Sequence, residues 1–352
     1  MKIAVVAPSL DIVGGQSIQA DALCAGLRRA GYEVDFVPIN PRFPQGLGWV
    51  RRCPYVRTML NEALYFPSLH RLRRADVVHV FSASYWSFLI AVAPALLAAR
   101  RFGKRILLNY HSGEAEDHLE RWGALVHPWL ALAHEIVVPS EYLRAVFARH
   151  GYPARAVPNL VDTTRFRYRD RMPAHARFLS ARNLEPYYRV DVTLEAFAMV
   201  RERFPSETLT IAGDGSERNR LLRRAATLGE DGIRFVGRVS PPDMPRYYEA
   251  ADVFANASVV DNQPLSILEA FAAGLPVVST ATGDIAALVR DGETGLVVPP
   301  DDPAAMAKAL TVVLEYPVRA LRMSRQARSE VEAFTWERLR EQWAAAYAEV
   351  AA

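Results

Sequence analysis

Short apolar runs recur along the chain, each followed by a polar or glycine-bearing turn and then by residues that are apolar at every third or fourth position. Residues 2–7 read as a buried strand, residues 16–30 carry helical periodicity through Ile18, Ala22, Leu23 and Leu27 up to Gly31, and residues 33–37 read as the next strand. Strand, loop, helix, strand is a βαβ unit. Strands over residues 76–80, 105–109 and 135–139 extend the series. A second series starts at residues 177–181 and continues through 208–212, 233–236, 252–256, 277–280 and 296–298, with helices that include residues 192–203 and 216–228. The last helix, near residues 336–350, places Leu339, Trp343 and Tyr347 on one face. The pattern predicts two consecutive α/β domains of similar size, with a ligand bound in the cleft between them.

At 352 residues the chain is long enough for two such domains. With 51% hydrophobic and 23% charged residues, it is not a disordered chain. Residues 88–99, the longest apolar candidate, fall short of the roughly 20 needed to cross a bilayer, and Arg100 and Arg101 follow. No signal-peptide cleavage pattern follows the first strand, so a cytoplasmic location is expected. Cys24 and Cys53 provide neither a disulfide framework nor a Cys-rich zinc site.

A net charge of +3 does not argue for nucleic-acid binding. It is unevenly spread, with 18 Lys and Arg against 12 Asp and Glu in residues 1–160. Residues 42–74 interleave Arg42, Arg51, Arg52, Arg57, Arg71, Arg73 and Arg74 with Trp49, Tyr55, Leu60 and Phe66. Such a mixture suits peripheral contact with an anionic membrane; a pair of Arg-rich surface helices is the plainer reading.

The candidate chemistry centres on residues 257–284, where Asp261 and Glu269 are separated by seven residues. Pro264 and Ser266 suit a helix start, Gly274-Leu275-Pro276 a stop, and residues 277–280 a short buried strand. A helix N-terminus offers unpaired N–H groups to a phosphate, and a carboxylate beside it accepts from sugar hydroxyls. Alternatively, Ser266 and Glu269 form a capping box. In the first series, Gly14-Gly15 opens a helix and lets a backbone approach a phosphate, although G-x-G-x-x-G is absent; a tight turn is the alternative. His111 follows a strand's carboxyl end, where open α/β sheets place ligands. Gly213-Asp214-Gly215 is read as a turn.

Glu269-Ala270-Phe271-Ala272-Ala273-Gly274-Leu275-Pro276-Val277, with Asp261 before it, resembles the acid-x7-acid and E-A-x-A-x-G-x-P-V signatures of the family-4 retaining glycosyltransferases. Val157-Pro158-Asn159-Leu160-Val161-Asp162, Ser140-Glu141-Tyr142-Leu143 and Gly213-Asp214-Gly215 resemble further steps of that family. The resemblance implies a GT-B fold: an acceptor-side Rossmann-like domain over residues 1–160, a donor-side one over 161–334, and a helix over 335–352 crossing back. It implies a hexosyl transfer from a nucleotide-sugar donor to a glycan, lipid-linked or small-molecule acceptor. By the same resemblance Glu269 holds the nucleotide ribose, Asp261 the donor-sugar hydroxyls and Arg182 the diphosphate. His111 hydrogen-bonds the donor sugar, while Gly14, Gly15, Asn262, Pro264, Leu265 and Ser266 line the donor site. No metal or cofactor is expected, because no Asp/His ligand set clusters near these residues.

The chain departs from the family in several places. Asp261 stands for the commoner Glu, Asn262-Gln263-Pro264 for Gly-Phe-Gly, and Leu160 for Gly. Tyr188 takes the position of the usual Lys, and Arg189 beside it is expected to supply the missing charge. These departures also motivate a non-catalytic sugar-nucleotide-binding protein; a GT-B phosphorylase or sugar-nucleotide epimerase is the other alternative.

Overall fold

A computed structural model describes residues 1–12, 14–46, 49–50, 53–172, 176–229 and 231–351. Arg51 and Arg52 of the basic segment, Val13 of the first loop and Pro173 of the linker run lie outside the described residues. The chain forms two compact units, Met1–Leu160 with Trp336–Ala352, and Val161–Thr335.

The first unit is built on six parallel strands: β1 (Lys2–Ala7), β2 (Glu33–Pro38), β3 (Val77–Ser82), β4 (Arg105–Tyr110), β5 (Glu135–Val138) and β6 (Arg155–Ala156). They lie in the order β2-β1-β3-β4-β5-β6. Alternate side chains go to opposite faces, so continuous apolar runs cover both. Ala4, Val6, Val78, Val80, Ile106 and Leu108 join one core, while Ile3, Val5, Ala7, Phe81 and Leu107 join another. The second core is completed by the helix Gly15–Arg29 and by Trp336, Leu339, Trp343 and Tyr347 of the closing helix Trp336–Ala351. Gly26 leaves room for the Trp336 indole, which a Cβ there would strike. Strand β3 runs two residues past the predicted end at Val80, because Phe81 and Ser82 pair with Asn109 and Tyr110 of β4.

The second unit repeats the plan with β7 (Arg177–Ala181), β8 (Thr208–Ala212), β9 (Ile233–Gly237), β10 (Val253–Asn256), β11 (Val277–Thr280) and β12 (Leu296–Val298). Their order is β12-β11-β10-β7-β8-β9, again all parallel. Arg171, 1% exposed, staples one side of this sheet. Its guanidinium donates to the carbonyls of Ala251, Arg169 and Tyr248, each at 2.9 Å, and to that of Ala273. It thereby satisfies carbonyls at the ends of the helices Met244–Ala250 and Leu265–Ala273.

Both sheets contain a point where the strand order reverses, between β1 and β3 and between β7 and β10. The loops leaving the carboxyl ends at such a point are the usual ligand position in open α/β sheets. The basic segment folds into the helix Pro54–Ser68 and a 3-10 turn, Leu69–Arg74. Among the described residues no helix is long and apolar enough to cross a membrane.

Candidate active site

In the second unit the candidate residues gather at the switch point between β7 and β10. Strand β7 ends at Ala181, so Arg182 opens its loop; the loop after β10 carries Asp261 and leads into the helix Leu265–Ala273. The two loops are tied where the Val259 N–H donates to the Tyr187 carbonyl at 2.9 Å.

Arg182 is the hub. Its side chain is 9% exposed, its Nη2 donates to the Asp261 carboxylate, and its Nη1 donates to Ser266 Oγ at 3.1 Å. The Tyr188 ring lies 4.0 Å from the guanidinium carbon, a cation–π contact on its face. Arg182 Nε is buried with no partner among the described residues. Burial pushes the Asp261 carboxyl up, and the Arg182 charge beside it pulls it back.

Glycines permit this close approach. A Cβ on Gly213 would overlap the Arg182 carbonyl oxygen, and one on Gly215 the Leu184 carbonyl oxygen. The Arg182 loop in fact lies on the Gly213-Asp214-Gly215 segment, with Arg182 N–H donating to the Ala212 carbonyl and Leu184 N–H to that of Asp214, both at 3.1 Å. These glycines therefore do more than make a turn. Gly283, at φ 57°, does the same for Asp261, whose carbonyl oxygen a Cβ there would overlap.

The helix over Leu265–Ala273 has Pro264 as its N-cap and no side-chain cap, so the capping-box reading of Ser266 and Glu269 does not hold. Ser266 is already inside the helix, and its hydroxyl faces Arg182. The N–H groups of Leu265 and Ser266 have no acceptor among the described residues. Asn262 N–H turns back to Asp261 Oδ1 at 2.9 Å. Glu269 is half-buried, and burial pushes its carboxyl up to about 7 while the nearby Tyr248 hydroxyl, which donates to the Ser266 carbonyl at 3.3 Å, pulls it back. Tyr248, fully buried, was not picked out from sequence; it belongs to a different helix and no local motif marks it.

Arg189 is not brought to this cluster. Its Nε pairs with Asp191 at 3.2 Å and its Nη1 with Asp301, so two carboxylates already match its charge. The chain turns left-handed at this residue, φ 45°, immediately after Tyr188. The group that meets Arg182 from this loop is the Tyr188 ring.

In the first unit, Gly14 caps the helix Gly15–Arg29, and a Cβ on Gly14 or Gly15 would meet nothing within 4 Å. Among the described residues, nothing fills the space beside this backbone. His111 follows β4, stacks on Phe81 with centroids 5.1 Å apart, and is held neutral by burial, its titration lowered to about 3. Its Nε2 is buried with no partner among the described residues.

The chain resembles known proteins over both of its units. Residues 13–165 match the model described as Glycosyltransferase Family 4, and residues 176–316 match that described as Glycosyl transferases group 1. The chain belongs to glycosyltransferase family 4. A glycogen synthase of Mycobacterium tuberculosis is 28% identical over 75% of the chain; the match spans 66% of that protein, just under two thirds. A D-inositol 3-phosphate glycosyltransferase of Corynebacterium efficiens is 27% identical over 95% of the chain and 76% of its own length. A phosphatidyl-myo-inositol mannosyltransferase of Mycobacterium leprae is 26% identical over 96% and 93%.

Among solved structures, sucrose-phosphate synthase from Thermosynechococcus elongatus superposes with a TM-score of 0.78 at 22% identity, covering 99% of this chain and 98% of that one. Anabaena Alr3699/HepE, in complex with UDP-glucose, gives 0.76 at 17%, covering 99% of both chains. The fold of this glycosyltransferase is accordingly GT-B, two Rossmann-like α/β domains.

Proposed function

We propose that this family-4 glycosyltransferase moves a hexosyl group, with retention of anomeric configuration, from a nucleoside-diphosphate sugar to a glycan or lipid-linked acceptor. The observation that carries the reading is the Arg182 guanidinium bonded to Ser266 at the start of the helix Leu265–Ala273, where the N–H groups of Leu265 and Ser266 have no acceptor among the described residues. As the bond between the anomeric carbon and the diphosphate oxygen breaks, its electron pair goes to the diphosphate. The acceptor oxygen forms the new bond and passes its proton to the departing diphosphate. Positive groups fixed where that charge grows act most strongly in the transition state. Arg182 pairs with Asp261, and diphosphate oxygens compete for the guanidinium and free the Asp261 carboxylate for donor-sugar hydroxyls. Glu269 accepts from the ribose hydroxyls, and His111, kept neutral, hydrogen-bonds the donor sugar.

The test is a melting screen of nucleotide sugars, followed by mass spectrometry of products formed with a panel of glycan and lipid-linked acceptors. A donor that binds but yields no glycosylated product on any acceptor would refute transfer. Arg182 and the helix start supply the positive charge that a divalent ion otherwise provides, so turnover is expected to persist after exhaustive chelation. Activity lost on chelation and restored only by added metal would overturn that part.

A second prediction concerns Glu269. Its folded value near 7 lies above the unfolded 4.5, so the folded protein holds the proton more tightly. Its contribution to stability is complete below the unfolded value and is lost as pH rises through about 7. Donor binding has the opposite sign, because the ionised carboxylate is the better acceptor. Between about pH 4.5 and about 7, UDP-glucose or GDP-mannose is expected to bind more tightly as the unliganded protein becomes less stable, and both profiles level off above that range. Glu269→Gln is expected to flatten both profiles and to weaken binding by about one to two decades, the value of a charge-assisted hydrogen bond. Titrations and melts across that range decide it; unaltered affinity in the variant would remove Glu269 from the nucleotide site.

The same proposal includes peripheral contact with the cytoplasmic face of a membrane through residues 42–74. The helix Pro54–Ser68 leaves Tyr55 88% and Met59 75% exposed, one turn apart, with exposed Arg57 between them in sequence. Co-sedimentation with anionic vesicles, and not with neutral ones, is the measurement that checks it.

A further inference from the structure

The switch point of the first unit carries a cluster that the donor chemistry does not use. The segment leaving β3 is strained: Tyr85 has φ 54°, a left-handed conformation costly for an aromatic residue, and the chain then passes through a π-helical stretch, Phe88–Val92. Strain of this kind persists where surrounding structure holds a side chain in a required place.

What it holds is an aromatic corner. The Trp86 indole is 66% exposed and meets Trp122 of the helix Ala115–Leu130 edge-on, centroids 5.2 Å apart at 89°. Tyr85 packs against Trp122 at 5.6 Å and against His118 at 5.0 Å. His118 is fully buried, with Nδ1 bonded to the Tyr110 hydroxyl at 2.7 Å and Nε2 without a partner among the described residues.

The rim of the corner is polar. The Tyr85 hydroxyl donates to Asp117 at 2.5 Å, and Arg121 pairs with the other Asp117 oxygen at 2.8 Å, yet that carboxylate stays 41% exposed. Two indoles at right angles beside a part-exposed carboxylate match a molecule with an apolar C–H face and hydroxyls around its edge. An acyl chain would leave Asp117 covered and unmatched. The nearby guanidiniums of Arg121 and Arg149 are already matched by Asp117 and Glu116, and Glu114 adds a further carboxylate, so the rim does not favour an anion. A neutral pyranose satisfies both halves, its C–H face on the electron-rich indole face and its hydroxyls on Asp117.

We propose that Trp86 and Trp122, with Tyr85 and Asp117, form a subsite for a pyranose ring of the acceptor, so that the acceptor is itself a saccharide. The proposal rests on the transferase reading, but it has a separate experiment. The purified full chain is applied to an array of neutral saccharides, and the strongest binder is titrated by intrinsic fluorescence; UDP-glucose and GDP-mannose melting shifts are recorded in parallel. Trp86→Ala is expected to weaken the saccharide by about tenfold and Trp86→Phe to restore most of it, with the nucleotide-sugar shift unchanged in both. Because Trp86 is exposed, the variants should keep the wild-type melting temperature.

Saccharide binding that is as tight in Trp86→Ala as in the wild type overturns the subsite. So does an array on which nothing binds while a nucleotide sugar still raises the melting temperature, a result that leaves the transferase reading standing. Trp86-dependent saccharide binding without any nucleotide-sugar shift supports the subsite and counts against the donor reading instead.

Discussion

Arg182→Ala is expected to lower kcat by about two to three decades, the range for removal of one preorganised group that stabilises developing negative charge. The guanidinium is gripped by Asp261, Ser266 and the Tyr188 ring, so it is already aimed before any donor arrives and loses little freedom in the reaction. The substitution also strands Asp261, a buried carboxylate, and breaking such a pair costs about 3–5 kcal/mol of stability. The double variant Arg182→Ala with Asp261→Asn separates the two effects. It should recover much of the melting temperature without recovering turnover. If Arg182→Ala folds and retains near-normal kcat, the diphosphate is held by other groups.

Gly283→Ala and Gly213→Ala are expected to lower turnover by about a hundredfold each, the cost of displacing reacting groups by about 1 Å. Neither residue has a side chain to offer chemistry. Each underlies a charged residue: a methyl on Gly283 runs into the Asp261 carbonyl, and one on Gly213 into that of Arg182. Gly283 adds backbone strain at its left-handed φ of 57°. A merely structural role would lower the melting temperature and leave the kinetics of the surviving folded enzyme unchanged. The positioning role predicts a lowered kcat measured well below the melting transition, with the Gly213 variant most affected in the charge-stabilising step. Gly14→Ala, by contrast, meets nothing within 4 Å among the described residues and should leave the melting temperature unchanged.

Much of the fold was legible because it is written in short-range periodicity. Runs such as residues 2–7 and 277–280 are apolar at consecutive positions, as strands buried on both faces must be, and the intervening helices carry their own period. The acid pair and the phrase from Glu269 to Val277 also lie within one short stretch, so a loop leading into a helix could be read directly. Less local features failed or stayed open. Ser266 and Glu269 have capping-box spacing, but the helix begins at Leu265 behind Pro264, and Ser266 answers Arg182, 84 residues away. Arg189 was the nearest cation to the position of the absent Lys, yet Asp301 and Asp191 claim it, and an aromatic ring supports Arg182 instead.

The sequence by itself determined the alternation of strands and helices, the two-domain plan and the family, since each depends on residues close together in the chain. Only the tertiary structure decided which strands are neighbours, and hence where the sheets reverse order. It also decided that Gly283 lies under Asp261, that the Tyr248 hydroxyl reaches the Ser266 carbonyl, and that Trp86 meets Trp122 at a right angle. Those relations join side chains from separate βα units. They follow from packing across the sheet rather than from any local propensity, so no spacing along the chain records them.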